Sequence, residues 1–349
     1  MTTRLPDGPQ SSQPLPMDDR QRHRPEPTAL VTRPASLPAV TGTRGDDRSA
    51  AAAEVDAASG PPTPSTEAQP GSPAPVSVTA AFHRFRNGAS PAGLSREVAV
   101  EAPVSLVYSG LPFAVMMATP CDLQDFALGF SLTEGIVEGT GDLRGISVGP
   151  DEAGGTRVDL TLTGAALRRH LARQRGRPGR VITGRTGCGI CGVEEAGALP
   201  WAAVPDTEAP VLRASSIRRA LDALEDAQVL NRRTNAVHAA AWVGLDGTLL
   251  LVREDVGRHN ALDKLVGAVT HAGLDRLAGF VLVTSRCSYE MVEKTAVLGA
   301  RALVSISLPT SLALERARAL GMTLVAGARG DVLTVFHGAD RVTEADPAP

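Results

Sequence analysis

Two cysteines three positions apart, Cys188 and Cys191, sit in the segment TGRTGCGICGVEE. Thiols at that spacing can close a disulfide, share a metal, or hand a sulfur atom from one carrier to another. Zinc would need two more ligands, but Cys121 and Cys287 are remote in sequence and His170 is the one imidazole shortly upstream. A thioredoxin-like dithiol usually starts a helix beside Trp and Pro, whereas these thiols lie among glycines, with Arg180 and Arg185 close by. Guanidinium groups favour the thiolate, which is the nucleophile. The residues therefore leave redox exchange, sulfur transfer and two incidental thiols open.

Three further turns carry polar chemistry. In Arg253-Glu-Asp-Val-Gly-Arg-His-Asn-Ala-Leu-Asp-Lys264 a strand gives way to a helix, where backbone N–H groups and the helix dipole favour anions. Arg258, His259 and Lys264 suit phosphates there, and Asp255 suits a base or ribose; the plainer alternative is that Asp255 and Asn260 cap the helix. The second junction offers Ser285, Arg286 and Ser288, with Cys287 as a small apolar filler. The third is Gly327-Ala-Arg-Gly330. In an open α/β sheet such junctions face one crevice, so three cationic turns point to a large, multiply phosphorylated ligand. Neither a dinucleotide glycine fingerprint nor a P-loop is present. His238 reads as a core histidine, and Cys121 needs no catalytic role.

The elements that must hold these turns follow from periodicity. Residues 1–78 hold 14 of the 26 prolines and no aromatic residue, a composition too poor in apolar surface to offset ordering entropy, so a disordered tail is expected. Residues 79–176 read as a small α+β subdomain: strands in REVAVEAPVSLVYSG, PFAVMMATP, LRGISVGP and TRVDLTLTG, a helix over DLQDFALGFSLTEGIV capped by Asp122, and another in AALRRHLARQ. Residues 177–205 are Gly- and Arg-rich without sustained period, which predicts a mobile loop carrying the thiols. Residues 206–345 open with ASSIRRALDALEDAQVL, an amphipathic helix with a Ser N-cap, then alternate strand and helix. That alternation predicts a three-layer, mostly parallel α/β domain.

The chain has 349 residues, a net charge of -3 and 43% hydrophobic residues, which suits a soluble protein with no call for nucleic-acid or membrane binding. No stretch nears the ~18 apolar residues of a membrane span, and the N-terminus has no signal-peptide core. A close CxxC without a signal points to reduced thiols in the cytoplasm.

Five stretches together, MATPCDLQDFALGFSLTEGI, RTGCGICG, REDVGRHNALDKLVG, TSRCSYEMVEK and LPTSLALERARALGMTLVAGARG, resemble the FdhD family of formate dehydrogenase accessory sulfurtransferases, over about Phe82 to Val342. The resemblance implies a C-terminal domain like the cytidine deaminase fold without its zinc, a guanine-nucleotide (GDP-like) site, and a homodimer. It implies that Cys188 takes sulfur from a cysteine desulfurase as a persulfide, assisted by Cys191. The sulfur then passes to the bis-molybdopterin guanine dinucleotide molybdenum cofactor of formate dehydrogenase. Ala326-Gly327-Ala328-Arg329-Gly330-Asp331 matches the family's cofactor-binding segment. Thr234-Asn-Ala stands where relatives commonly have Thr-Gly-Gly, and His238 lacks the following glutamate that a hydrolytic deaminase needs. The alternative within this reading is a chaperone that delivers the cofactor without sulfur chemistry; a general dithiol oxidoreductase is the alternative outside it.

Overall fold

Alternating side chains organise the first half of the chain into strands. The computed structural model describes residues 74–86, 89–175, 182–183, 202–204 and 206–344; Cys188, Cys191, Arg180, Arg185 and the tail up to residue 73 lie outside them. A hairpin of β1 (Ser77–Arg86) and β2 (Ala89–Ala99) comes first, so Ser77 and Val78 are already strand. Next come β3 (Ala102–Tyr108), β4 (Leu111–Ala118), α1 (Leu123–Thr133), β5 (Leu143–Pro150), β6 (Thr156–Leu162), α2 (Gly164–Arg175) and the two-residue β7 (Ile182–Thr183). They form a sheet in the order β5-β6-β3-β4-β7. Its inward side chains, Val104, Leu106, Val158 and Leu160, close on Phe126 and Phe130 of α1. Asp122 does precede α1, but its φ of 51° turns the side chain away and it makes no capping hydrogen bond.

The second half contains β8 (Leu212–Arg213), α3 (Ala214–Ala227), α4 (Val229–Thr234), β9 (His238–Gly244), β10 (Leu249–Asp255), α5 (Arg258–His271) and β11 (Gly279–Val283). It continues with α6 (Tyr289–Leu298), β12 (Ala302–Ser305), α7 (Ser311–Ala319), β13 (Thr323–Arg329), β14 (Val332–His337) and β15 (Val342–Thr343). The expected Ser N-cap of α3 is not used: the helix starts at Ala214, after Arg213, with both serines inside it. The six-stranded sheet runs β10-β9-β11-β12-β13-β14. It is mixed rather than mostly parallel, because only β11–β12 and β12–β13 pair in parallel. The tight β9–β10 connection forces an antiparallel hairpin, β9 then lies between β10 and β11, and the β13–β14 hairpin closes the far edge.

Helices cover both faces of this sheet, giving three layers. Ala240, Trp242, Val281 and Leu303 face α5, α6 and α7, while the alternate residues Ala241, Val243, Leu282 and Val304 face Ile217, Ala220 and Leu224 of α3. The two sheets are joined where α1 crosses α5 on paired glycines. A Cβ at Gly129 would lie 1.7 Å from the Asp263 carbonyl oxygen, and one at Gly267 would lie 1.9 Å from that of Asp125. Only hydrogen at both positions lets the backbones approach so closely. Ion pairs flank the crossing: Arg253 binds Asp125 at 2.7 Å, and Lys294 binds Asp263 at 2.7 Å while donating to Thr133 Oγ1.

Candidate functional site at the strand ends

Strands β10, β11 and β12 run in one direction, so α5, α6 and α7 all begin at the same edge of the sheet. Antiparallel β9 begins there too, and pairs His238 with Asp255. The turns on this edge are laced together. Cys287 N–H donates to Leu308 O and Thr310 N–H to Cys287 O. Ser305 Oγ donates to Ser285 O at 2.8 Å, and Gly327 N–H to Ser307 O at 3.1 Å. Thr310 caps α7 by accepting from Ala313 N–H. Three helix N-termini on one braced edge make a setting that favours an anionic ligand.

Asp255 is at this edge but wholly buried, and both its oxygens are engaged. One accepts from Gly257 N–H and Asn260 Nδ2, at 2.8 and 3.1 Å. The other accepts from Thr119 N–H at 3.0 Å and pairs with Lys264 Nζ at 2.7 Å. Lys264 is equally buried and donates to Thr119 O and Glu254 O, so the phosphate contact expected of it is replaced by a structural one. Val256 N–H donates to Thr119 Oγ1 and Asn260 Nδ2 to Met117 O, completing a buried polar network that ties the end of β4 to the first turn of α5. Thr119 was not legible as a site residue, because nothing in MATPC marks its backbone as the partner of a distant carboxylate.

The groups around the first turns of α5 and α6 are polar and crowded. Burial holds His238 below the ordinary histidine pKa, and the charges of Arg258, His259 and Arg286 push it further the same way. His259 is lowered chiefly by burial, partly offset by Glu290, whose Oε2 lies 3.9 Å from its Nε2. Arg258, His259 and Arg286 thus all act on His238 electrostatically, and Glu290 lies beside His259. Arg286 is exposed. Ser285 is buried and its hydroxyl donates to Arg286 O at 3.1 Å, which makes it a brace of the turn.

Along β13 the expected segment divides by side. Ala326 and Ala328 are fully buried, Ala328 in the core beneath α3. Gly327 has φ +66° and lies against Leu308, whereas Arg329, Gly330 and Asp331 form the exposed tip of the β13–β14 hairpin. That tip is on the same sheet edge, since β13 is parallel to β12. Arg218 Nη2 of α3 donates to the Asp331 carbonyl at 3.4 Å.

The two described cysteines are poor nucleophiles. Burial pushes the Cys287 thiol up to about 12, and burial pushes Cys121 up to about 11 against the opposing pull of Lys264. Among the described residues no group of His, Cys, Asp and Glu is placed to hold a metal ion, and no helix is long and apolar enough to cross a membrane.

Comparison with known proteins gives the family of the chain. A sulfur carrier protein FdhD from Agrobacterium fabrum is 47% identical over 274 residues, covering 76% of this chain and 98% of its own. One from Variovorax paradoxus is 46% identical over 241 residues, covering 68% and 84%. One from Xanthomonas campestris pv. campestris is 45% identical over 285 residues, covering 80% and 95%. A crystal structure described as that of a formate dehydrogenase accessory protein from Desulfotalea psychrophila shares the fold, with a TM-score of 0.61 at 24% identity, over 77% of this chain and all of its own. The FdhD/NarQ family profile matches residues 99–343, and the chain belongs to that family.

Proposed function

We propose that this protein is a cytoplasmic sulfur carrier, acting as a persulfide sulfurtransferase in the service of formate dehydrogenase. The observation that carries the reading is the relatives' shared identity as sulfur carrier proteins, at 45–47% identity over most of their length. The crevice supports it, because a carrier needs a place to hold its acceptor. The acceptor in this reading is the bis-molybdopterin guanine dinucleotide molybdenum cofactor, as substrate. Its phosphates lie over the N-termini of α5 and α6 near Arg258, His259 and Arg286, and the hairpin tip at Arg329 closes the far side.

The chemistry has two steps. The Cys188 thiolate attacks the outer sulfur of the persulfide on a cysteine desulfurase; one S–S bond forms, one breaks, and the donor leaves as a thiolate. Cys191 thiolate then attacks the Cys188 sulfur, closing a Cys188–Cys191 disulfide and releasing the outer sulfur as sulfide to the cofactor. The two thiols supply both electrons, and an external thiol reductant restores them. β7 supports this route: it ends at Thr183, five residues before Cys188, and pairs in parallel with β4, whose C-terminal end is held by Asp255. Five residues reach at most about 17 Å. Asp255 and Lys264 act here as positioning residues for the crevice.

Separate single variants Cys188→Ala and Cys191→Ala, each tested for restoring formate dehydrogenase activity to cells lacking this protein, test the reading. Sulfur transfer predicts that Cys188→Ala fails to restore activity while still binding guanosine diphosphate. Full restoration by both variants would instead identify a chaperone of the cofactor, and absence of nucleotide binding in the wild type would point to a dithiol oxidoreductase.

A further inference from the structure

Two helices hold the backbone of Ala202 in a clamp. Glu293 of α6 and Arg316 of α7 form an ion pair, with side chains 8% and 13% exposed. Between them they take both polar groups of one residue: Ala202 N–H donates to Glu293 Oε2 at 2.6 Å, and Arg316 Nη2 donates to Ala202 O at 3.2 Å. Ala202 lies eleven residues beyond Cys191. Ala202 also packs against the core formed with α6 and α7, so the pair satisfies both of its backbone polar groups where water is largely excluded. A carboxylate–guanidinium pair that also fixes a backbone N–H and its own C=O sets that residue's position and orientation.

We propose that Glu293 and Arg316 are positioning residues for sulfur transfer, fixing the exit of the segment that carries Cys188 and Cys191. The inference rests on the persulfide reading above. The β4–β7 pairing holds the chain at Thr183, before the two thiols, and the clamp holds it at Ala202, after them. Cutting the clamp removes the fixed position and orientation of the backbone at Ala202, which slows the onward step.

Two variants keep the test clear of misfolding. Ala202→Pro removes the N–H and leaves the ion pair between α6 and α7 intact, with Ala202→Ser as the control that keeps both polar groups. Glu293→Leu combined with Arg316→Met replaces the pair by apolar side chains of similar size, so that neither charge is left buried alone. Each protein is loaded with labelled sulfur by a cysteine desulfurase, and uptake and onward delivery to the cofactor are timed separately. The clamp predicts unchanged uptake, delivery slowed in both cut variants, and wild-type delivery in Ala202→Ser. Wild-type delivery in the cut variants, or equal slowing of uptake and delivery, would overturn the positioning role. A wild-type protein that takes up no sulfur would overturn the persulfide reading and the inference with it.

Discussion

Asp255 separates a ligand contact from a positioning group, and Asp255→Asn tells them apart. The carboxylate and the Lys264 ammonium are both fully buried, 2.7 Å apart. The amide keeps the shape and one acceptor oxygen, but it brings N–H donors toward Lys264, Thr119 N–H, Gly257 N–H and Asn260, all of which donate. It also leaves the ammonium with carbonyl partners and no counter-charge. Breaking a buried ion pair from one side costs about 3–5 kcal/mol. For a unit of this size 1 kcal/mol moves the melting temperature by about 2–4 °C, so the drop should be roughly 6–20 °C. Guanosine diphosphate affinity of the folded fraction, measured by calorimetry well below the melting temperature, should stay within about threefold of wild type. A variant that melts like the wild type but binds the nucleotide more than tenfold more weakly would show that Asp255 touches ligand, and the positioning argument would fail.

Other consequences follow from the same geometry. Gly267→Ala in α5 should destabilise by at least about 1–3 kcal/mol in denaturant titration despite alanine's better helix propensity, since its Cβ meets the Asp125 carbonyl; a stabilised variant would contradict the close crossing. Cys121→Ser should take up sulfur from a desulfurase like the wild type, because the thiol is held near 11 and stays protonated at neutral pH; loss of uptake would count against that. His170, His238 and His259 all have pKa values lowered below the ordinary 6.5, mainly by burial. The unfolded chain therefore binds protons that the folded one resists. Their contribution to stability is full above about pH 6.5 and is lost as pH falls through the lowered values. Melting temperature should decline between about pH 7.5 and 5.5, less steeply in His238→Gln, and an equal decline in that variant would remove His238 from the account.

Much of this molecule is written locally. The apolar runs of β11, β12 and β13 and the periods of α6 and α7 place the crevice turns, and the charged types at Arg258, His259 and Arg286 mark them as polar. Pairing is not local: AVHAAAWVG reads only as short and apolar, yet as β9 it sits between β10 and β11 and makes the sheet mixed. Nor is burial. Lys264 suits a phosphate by sequence, but α5 is covered on one side by the sheet and on another by α1, so Lys264 pairs inside with Asp255, as Asp263 does with Lys294 of α6. Thr119 and the Glu293–Arg316 clamp depend on contacts more than ninety residues apart in sequence for Ala202–Glu293 and Thr119–Asp255, which no spacing rule reveals. What residue chemistry left open, the family match narrowed: the relatives are sulfur carrier proteins.

The most direct measurement is intact-protein and peptide mass spectrometry after incubation with a cysteine desulfurase and cysteine. The account predicts one added sulfur atom on Cys188, removable by a thiol reductant and absent from Cys188→Ala. No added sulfur, or sulfur that persists at full stoichiometry in Cys188→Ala, would contradict it.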